Sequence, residues 1–172
     1  MSIDLRFITG QPCEMAALQR LLEETPTYTE LITGHPPGPE AVKDLLNALP
    51  PEMTHDSKYL YGFIVDGTAM IGCADIIRGW PTPNTALIGL LLLDEAHRGI
   101  GLGRSTYDLV EAKVRRWPEI DMLRISVVRC NDTVLPFWRR MGFVETGEVQ
   151  PYVCEKIISE SIILTKQLRD DE

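Results

Sequence analysis

The chain has 172 residues, of which 44% are hydrophobic and 24% are charged, a composition typical of globular proteins. This length predicts one domain over residues 1–172 with a sizeable core. With a formal net charge of −8, the chain is expected to bind polyanions poorly, so we expect no nucleic-acid partner. The same charge favours a cationic substrate such as an amine.

Cysteine usage and hydropathy predict the compartment. The four cysteines show no Cys-x-x-Cys spacing, which predicts no metal site and a reducing environment: Cys13, Cys73, Cys130 and Cys154. Asp4 and Arg6 come early, so we expect no signal peptide. The longest apolar run, Ala86 to Leu93, is too short to cross a bilayer. We therefore expect a cytoplasmic protein without a membrane partner.

The first third of the chain reads as one strand and two helices. Ile3 to Ile8 alternates like a strand, and Pro12 suits the start of a helix. The apolar positions that follow share one helical face: Met15, Leu18, Leu21 and Leu22. Glu40 to Leu49 is a second helix. The Pro-rich stretch Gly34 to Pro39 predicts a loop between these two helices.

A hairpin and a buried strand come next. Tyr59 to Val65 and Ala69 to Ile77 flank the turn dipeptide Asp66-Gly67, which predicts a hairpin. Pro81 to Asn84 breaks the chain before the apolar strand Ala86 to Leu93.

The last third alternates helices and strands. A helix is indicated by apolar residues at helical spacing: Tyr107, Val110, Val114 and Trp117. Leu123 to Val128 is a strand, Thr133 to Met141 a short helix, and Phe143 to Val149 and Glu155 to Leu164 an antiparallel pair. This order predicts an α/β protein with a mixed sheet and helices on both faces.

The most informative segment is the glycine-rich turn from Arg98 to Ser105. Gly99, Gly101 and Gly103 lie between the apolar strand and the next helix, where main-chain N–H groups can approach a ligand without Cβ atoms in the way. The first turn of that helix adds unpaired N–H groups and the positive end of its dipole. This combination predicts a phosphate or pyrophosphate site, against the alternative of a turn without chemical meaning.

Two common phosphate motifs do not fit this segment. A triphosphate loop needs Gly-x-x-x-x-Gly-Lys, but Arg104 follows Gly103 and Arg98 stands five residues before it. A dinucleotide fingerprint needs Gly-x-Gly-x-x-Gly, but the sixth residue from Gly99 is Arg104 and from Gly101 is Thr106. The pattern that does fit is Arg-x-x-Gly-x-Gly, from Arg98 through Gly103.

This pattern after a central strand resembles the GNAT superfamily of acyl-CoA-dependent N-acyltransferases. A second signature supports the resemblance, because Asn131 precedes Trp138 by seven residues and Gly142-Phe143 by eleven and twelve. The resemblance covers Lys58 to Phe143 well and the first fifty residues in element order only. It implies a six- to seven-stranded mixed sheet that is splayed between its fourth and fifth strands.

The resemblance also implies acetyl-CoA as cosubstrate and no metal. The implied cosubstrate-binding residues are Leu91, Leu93, Arg98, Gly99, Ile100, Gly101, Leu102, Gly103, Arg104, Ser105, Asn131 and Trp138. The turn would hold the pyrophosphate, and the free edge at Leu91 and Leu93 the pantetheine amides. The Leu93 N–H would stabilise the oxyanion. Asn131 would bond the pantetheine arm or its end; a helix N-cap is the alternative interpretation and is compatible with that role.

The catalytic acid and base are less defined. The family often has a tyrosine where this chain has Trp138, and an indole N–H cannot give up its proton at useful pH. Trp138 is therefore expected to line the acyl or pantetheine pocket. Asp75 is the predicted base, against the alternative of an outward-facing, solvated carboxylate.

Several other residues are weaker candidates. His35, Tyr28 and Glu30 belong to the region between the first helices, which in the family often covers the acceptor, although His35 also reads as a plain loop residue. Trp80, Tyr59 and Tyr61 could wall an acceptor pocket or serve packing alone. Cys130 is interpreted as a buried strand-end cysteine, because the family forms no covalent intermediate.

The sequence predicts an N-acetyltransferase acting on a primary amine of a small molecule or peptide by direct attack. The alternatives are a module that binds acyl-CoA without transfer, and a subunit that mainly contacts a partner protein. The acceptor itself is not predicted. The resemblance allows a homodimer.

Overall fold

The computed structural model describes residues 1–170 as a seven-stranded sheet with helices on both faces. The strands are β1 (Ile3–Phe7), β2 (Lys58–Val65), β3 (Ala69–Arg78), β4 (Thr85–Leu93), β5 (Met122–Val128), β6 (Val144–Cys154) and β7 (Ile157–Gln167). The helices are α1 (Pro12–Glu23), α2 (Pro26–Thr33), α3 (Ala41–Asn47), α4 (Leu102–Val114) and α5 (Leu135–Arg140).

The sheet is mixed, with strand order β1-β2-β3-β4-β5-β7-β6. All neighbours are antiparallel except β4 and β5, which are parallel because the chain crosses over through α4. This confirms the predicted fold class.

Two cores lie on opposite faces of the sheet. On one face, α1 and α3 bury Leu18, Leu21 and Val42 against β2 and β3. On the other face, α4 and α5 bury Tyr107, Val110, Val114 and Trp138 against β3, β5 and β7. The apolar faces predicted for α1 and α4 are the faces that pack. Across residues 1–170, every helix is too short or too polar to span a bilayer.

The main difference from the predicted elements is α2, which falls in a region predicted as loop. Its ends carry ordinary helix signals, since Pro26 occupies the first turn and Gly34 ends the helix in the left-handed conformation at φ 86°. No residue of α2 is fully buried, so the apolar periodicity that predicts a helix is weak here. The final strands also run further than predicted, to Cys154 and Gln167.

Candidate active site

A cleft opens where β4 and β5 separate. The two strands pair only at Thr85–Met122, Ala86–Leu123 and Leu87–Arg124 and then diverge. The gap beyond is a cavity of about 320 Å³. It runs from the α4/α5 face, where Phe137 and Trp138 line it, to the α1/α3 face, where Tyr28 lines it. The predicted splay is therefore present.

A β-bulge at Gly89 accompanies the divergence. Asp75 of β3 pairs with Leu90, whereas the next residue, Ile76, pairs with Ile88, so Gly89 is the extra residue. A bulge bends its strand and increases the local twist, which turns β4 away from β5. Gly89 lines the cleft and is exposed to it.

The β4 edge of the cleft presents free main-chain groups. The Asp94 N–H donates to the Ile71 carbonyl at 2.8 Å, which makes Gly72 and Leu93 a pair that does not exchange hydrogen bonds. The Leu93 N–H and C=O therefore point away from β3 and toward the cleft. Because this pattern repeats every two residues, Leu91 points the same way.

The β5 edge is free in the same manner. The Leu168 N–H donates to the Asp121 carbonyl at 2.7 Å, so Met122 turns its main-chain groups away from β7. By the same two-residue repeat, Ser126 and Val128 also present theirs to the cleft. The cleft thus lies between two strand edges whose amides and carbonyls point into it, where a ligand can bind them, although the Leu93 carbonyl already accepts from Arg98.

The glycine turn lies at the mouth of the cleft. Gly99 and Gly101 have φ of 75° and 84°, and Gly101 is the residue before the first turn of α4. Only glycine adopts this conformation without strain. A Cβ on Gly103 would come 3.2 Å from the Phe137 ring, so Gly103 allows close packing of α4 against α5. Exposed N–H groups and the α4 dipole therefore converge at one point.

The remaining predicted turn residues fall into two groups. Arg98 is the one charged side chain that lines this cavity within residues 1–170. Its Nε donates to the Leu93 carbonyl at 3.1 Å. Ile100, Arg104 and Ser105 are exposed on the turn and the first turn of α4, while Leu102 packs partly into the core. The Arg104 guanidinium lies 3.9 Å from the Asp108 carboxylate at the surface.

Trp138 and Asn131 both line the cleft. The Trp138 ring is 8% exposed and is held edge-on by Phe137 and Phe143, with centroids at 5.1 and 5.2 Å. Asn131 lies in a 3₁₀ turn, Arg129–Val134, with a non-helical backbone at φ −112° and ψ 30°. The residue that caps α5 is Val134, so Asn131 does not serve as the cap of that helix.

Asp75 is buried, so the alternative of a solvated carboxylate is wrong. Asp75 and Lys58 are 6% and 4% exposed, and Lys58 Nζ lies 2.8 Å from Asp75 Oδ2. The same ammonium donates to the Ala48 carbonyl at 2.8 Å. Burial raises the pKa of Asp75, and the hydrogen bond and charge of Lys58 oppose that rise. Asp75 Oδ1 is buried without a hydrogen-bond partner.

The Asp75 carboxylate lies directly behind the bulge. A Cβ on Gly89 would come 3.1 Å from Asp75 Oδ2. The carboxylate of β3 therefore occupies the space that a β4 side chain at the bulge would fill. Asp75 itself does not line the cleft, whereas Gly89, which lies next to the carboxylate, does.

Helix α2 spans the α1/α3 side of the cleft, and we call it the lid helix. At one end, Thr27 Oγ1 donates to Glu95 Oε1 at 2.6 Å, in the 3₁₀ turn that follows β4. At the other end, Cys130 Sγ donates to the Leu31 carbonyl at 3.3 Å and the Tyr152 hydroxyl to the Ile32 carbonyl at 2.7 Å. The lid helix is thus anchored to the segments that follow both splayed strands.

The loop after the lid helix is tied to the β6–β7 turn. His35 Nε2 lies 3.0 Å from Glu155 Oε1, and His35 Nδ1 lies 3.0 Å from the Pro36 carbonyl. The Pro36 and Glu155 hydrogen bonds raise the pKa of His35. His35 lies outside the residues that line the cleft.

The other candidates separate clearly. Tyr28 lines the cleft, whereas Glu30 is exposed on the lid helix. Cys130 is exposed in the 3₁₀ turn, so the expectation of a buried strand-end cysteine is wrong. The aromatic side chains proposed as acceptor walls pack elsewhere: Trp80 on Arg124, Tyr59 on Trp117 and Tyr61 in the core.

Several lining residues were not predicted. They come from segments far apart in the chain: Thr27, Leu31, Thr106, Ser126, Val134 and Phe137. The period-2 pattern of β5 could have indicated Ser126, which is an exposed residue between buried neighbours. In residues 1–170, no group of three or more His, Cys, Asp or Glu side chains is arranged to hold a metal ion.

The sequence profile of the acetyltransferase (GNAT) family matches residues 16–143. The chain belongs to the GNAT acetyltransferase family. Membership indicates an acyltransferase and supports acetyl transfer to an amine in general. No curated protein sequence matches this GNAT protein significantly.

Solved structures share the fold of this GNAT protein. An acetyltransferase from Thermus thermophilus has TM-score 0.76 and 23% identity, with 98% of each chain covered. A GNAT acetyltransferase from Elizabethkingia anophelis, solved with acetyl-CoA bound, has TM-score 0.63 and 19% identity, covering 96% and 98%. Spermidine N-acetyltransferase from Vibrio cholerae, in complex with CoA and spermine, has TM-score 0.74 and 12% identity, covering 96% and 95%.

Proposed function

We propose that the protein transfers an acetyl group from acetyl-CoA to a primary amine of a small molecule or peptide by direct attack on the thioester. The observation that carries this proposal is the pair of free strand edges, Leu91–Leu93 and Ser126–Val128, that leads to the glycine turn. A pyrophosphate joined to a chain of amides is complementary to this arrangement. The Elizabethkingia and Vibrio structures, with acetyl-CoA and CoA, support the choice of cosubstrate.

The residues that would hold the cosubstrate follow from these contacts. The N–H groups from Gly99 to Ser105 face the pyrophosphate, and Arg98 and Arg104 supply positive charge. Leu91 and Asn131 bond the pantetheine arm, and Trp138 closes the cleft on the α4/α5 side. The Leu93 N–H, which is free of β3, donates to the thioester oxygen as negative charge develops on it.

Asp75 is the base in this proposal. The attacking amine loses a proton as the C–N bond forms, and that proton needs an acceptor. The unpartnered Asp75 Oδ1 has a free lone pair, and the raised pKa of the carboxyl strengthens it as a base. Because Gly89 has no side chain, the Asp75 carboxylate is covered at the bulge by backbone alone, with Oδ2 nearest to Gly89, and the proton would reach it there.

A second candidate function is a module that binds acyl-CoA without transferring the acyl group. Two observations favour it. Trp138 has no proton to give to a departing thiolate, and the Asp75 carboxylate is already paired with Lys58.

Release of coenzyme A in the presence of an amine panel tests these functions. The panel contains polyamines, aminoglycosides, amino acids and peptides, and calorimetry measures acetyl-CoA binding in parallel. Turnover with at least one amine supports the transferase. Binding of acetyl-CoA without turnover on any amine supports the binding module, and absence of binding contradicts both.

A further inference from the structure

The cleft contains one side chain that carries a proton suited to general acid catalysis. Among the cleft-lining residues of the described chain, only Tyr28 and Arg98 are ionisable. The Arg98 guanidinium stays protonated in proteins and cannot act as an acid. The remaining polar lining residues are threonine, serine, asparagine and tryptophan, whose protons are much less acidic than that of a phenol. The Tyr28 phenol is therefore the available proton donor.

The position of Tyr28 suits this role. Tyr28 is half-buried against the α1/α3 core cluster and also lines the cleft, as does Leu90 of β4, just beyond the bulge. The Cys130 thiol donates to the Leu31 carbonyl, one helical turn after Tyr28, so the 3₁₀ turn that holds Asn131 lies beside this part of the lid helix. Tyr28 thus lies between the two strand ends, where the acyl end of a pantetheine arm would lie.

The lid helix fixes Tyr28 there. One residue before it, Thr27 is bonded to Glu95 on the β4 side. Three and four residues after it, Leu31 and Ile32 accept from Cys130 and Tyr152 on the β5 and β6 side. Anchors on both sides restrict how far the phenol can move from the cleft.

We propose that the Tyr28 hydroxyl protonates the coenzyme A sulfur as the thioester breaks, which is the task that Trp138 cannot perform; this inference rests on the proposed function. The amine nitrogen forms a bond to the carbonyl carbon, and the C–S electron pair moves to sulfur. The phenol gives its proton to that sulfur, while the amine proton goes to Asp75 or water. The phenolate regains a proton from solvent.

The environment of Tyr28 keeps the proton in place until it is needed. Burial raises the pKa of the Tyr28 hydroxyl, and the nearby Cys130 thiol adds to that rise. The phenol is therefore neutral at physiological pH.

The central experiment compares Tyr28→Phe with the wild-type protein, using acetyl-CoA and the best amine of the panel. Since the phenylalanine keeps the ring packing, we expect kcat to fall about 10²-fold, as for loss of a general acid, and acetyl-CoA affinity by calorimetry to change less than about threefold. With S-acetyl-4-nitrothiophenol, whose thiolate leaves without a proton, the two proteins should turn over equally within about twofold.

Tyr152→Phe is the matched control, because it removes a neighbouring phenol that anchors the lid helix. Because the Thr27–Glu95 and Cys130–Leu31 hydrogen bonds still anchor the lid helix, its kcat with acetyl-CoA should fall less than about threefold. Equal losses in the two variants, or an equal loss of Tyr28→Phe on both thioesters, would show that the phenol positions the lid and would overturn the acid assignment.

A second measurement keeps the phenol in place and changes only its acidity. Incorporating 3,5-difluorotyrosine at position 28 lowers the pKa of the phenol. The alkaline limb of the kcat–pH profile should therefore move toward neutral pH. The neighbouring titratable residues Cys130 and Tyr152 are left as they are, so the shift is assigned to position 28. An unmoved limb contradicts the proposal. Full turnover by Tyr28→Phe defeats this inference alone, whereas a wild-type protein that turns over no amine defeats the proposed function as well.

Discussion

The two ends of the cleft are built by different means. The end at the glycine turn uses main-chain groups from one stretch of chain, Leu91 to Ser105, together with the facing edge of β5. The end under the lid helix is covered by a helix that side chains from distant positions hold in place, such as Thr27 on Glu95 and Tyr152 on Ile32, while His35 on Glu155 holds the loop that follows, outside the cleft lining. A main-chain site tolerates most side-chain changes but not a change of backbone conformation. A side-chain site has the opposite sensitivity. Substitutions at four sites, each with a control or a measurement of its own, test this contrast.

The largest effect is expected at the buried pair behind the bulge. Asp75→Asn leaves the Lys58 charge buried without its counter-ion, which should cost about 3–5 kcal/mol of the free energy of unfolding. The double variant Asp75→Leu/Lys58→Met removes both charges and should recover most of that loss. Denaturant titration measures both.

Activity separates the two roles of Asp75. If Asp75 is the base, the double variant should remain inactive although it is stable. Amine turnover by a stable double variant would contradict the assignment of Asp75 as base and leave the pair a purely structural feature.

The next largest effect is expected at Leu93. Leu93→Pro removes an N–H that makes no bond to β3, so the ladder between β3 and β4 should survive. Loss of an oxyanion donor should lower kcat about 10²–10³-fold. Leu93→Ala, which keeps the N–H, is the control and should stay within about threefold. Equal losses of kcat in both variants would show that the Leu93 side chain is needed and would contradict the role of its N–H as oxyanion donor.

A smaller effect is expected at Gly101. Gly101→Ala forces a left-handed alanine at φ 84°, which should cost about 1–2 kcal/mol of stability. Gly147, in β6, has the same φ and no neighbour within 4 Å, so Gly147→Ala carries the same strain away from the cleft. Calorimetry should show weaker acetyl-CoA binding for Gly101→Ala only. Equal affinities in the two variants would exclude the turn from binding.

The smallest effect is expected at the exposed pair His35–Glu155. Its hydrogen bonds raise the pKa of His35, so its contribution to stability is complete below the ordinary value of 6.5 and is lost as pH rises through the folded-state value. In Glu155→Gln, the NMR titration of His35 should move to lower pH, while acetyl-CoA binding at the glycine turn should be unchanged. An unchanged titration would mean that Pro36 alone sets the His35 pKa.

The same contrast explains what the sequence could and could not predict. The turn was predictable because three glycines after an apolar strand carry their conformational meaning locally. The β strands were predictable from alternation and from the Asp66-Gly67 turn. The lid helix was not, because its stability depends on contacts with Glu95, Cys130 and Tyr152 rather than on a buried face.

Burial of Asp75 was beyond the sequence for a related reason. Alternation places its side chain on a face of the sheet but does not say what covers that face. The Lys58 ammonium of β2 covers it, and the Ala48 carbonyl that accepts from this ammonium lies at the end of α3, far from Asp75 in the chain. Cys130 was misplaced likewise, because the strand ends at Val128 and the chain turns outward.

Only three residue pairs join β4 to β5, so the sheet consists of two halves with little strand pairing between them. One half is the antiparallel run β1 to β4, and the other is β5, β7 and β6. A ligand in the cleft contacts both halves and so links them a second time. Because such a ligand binds only the folded form, it should raise the melting temperature and make the two halves unfold together.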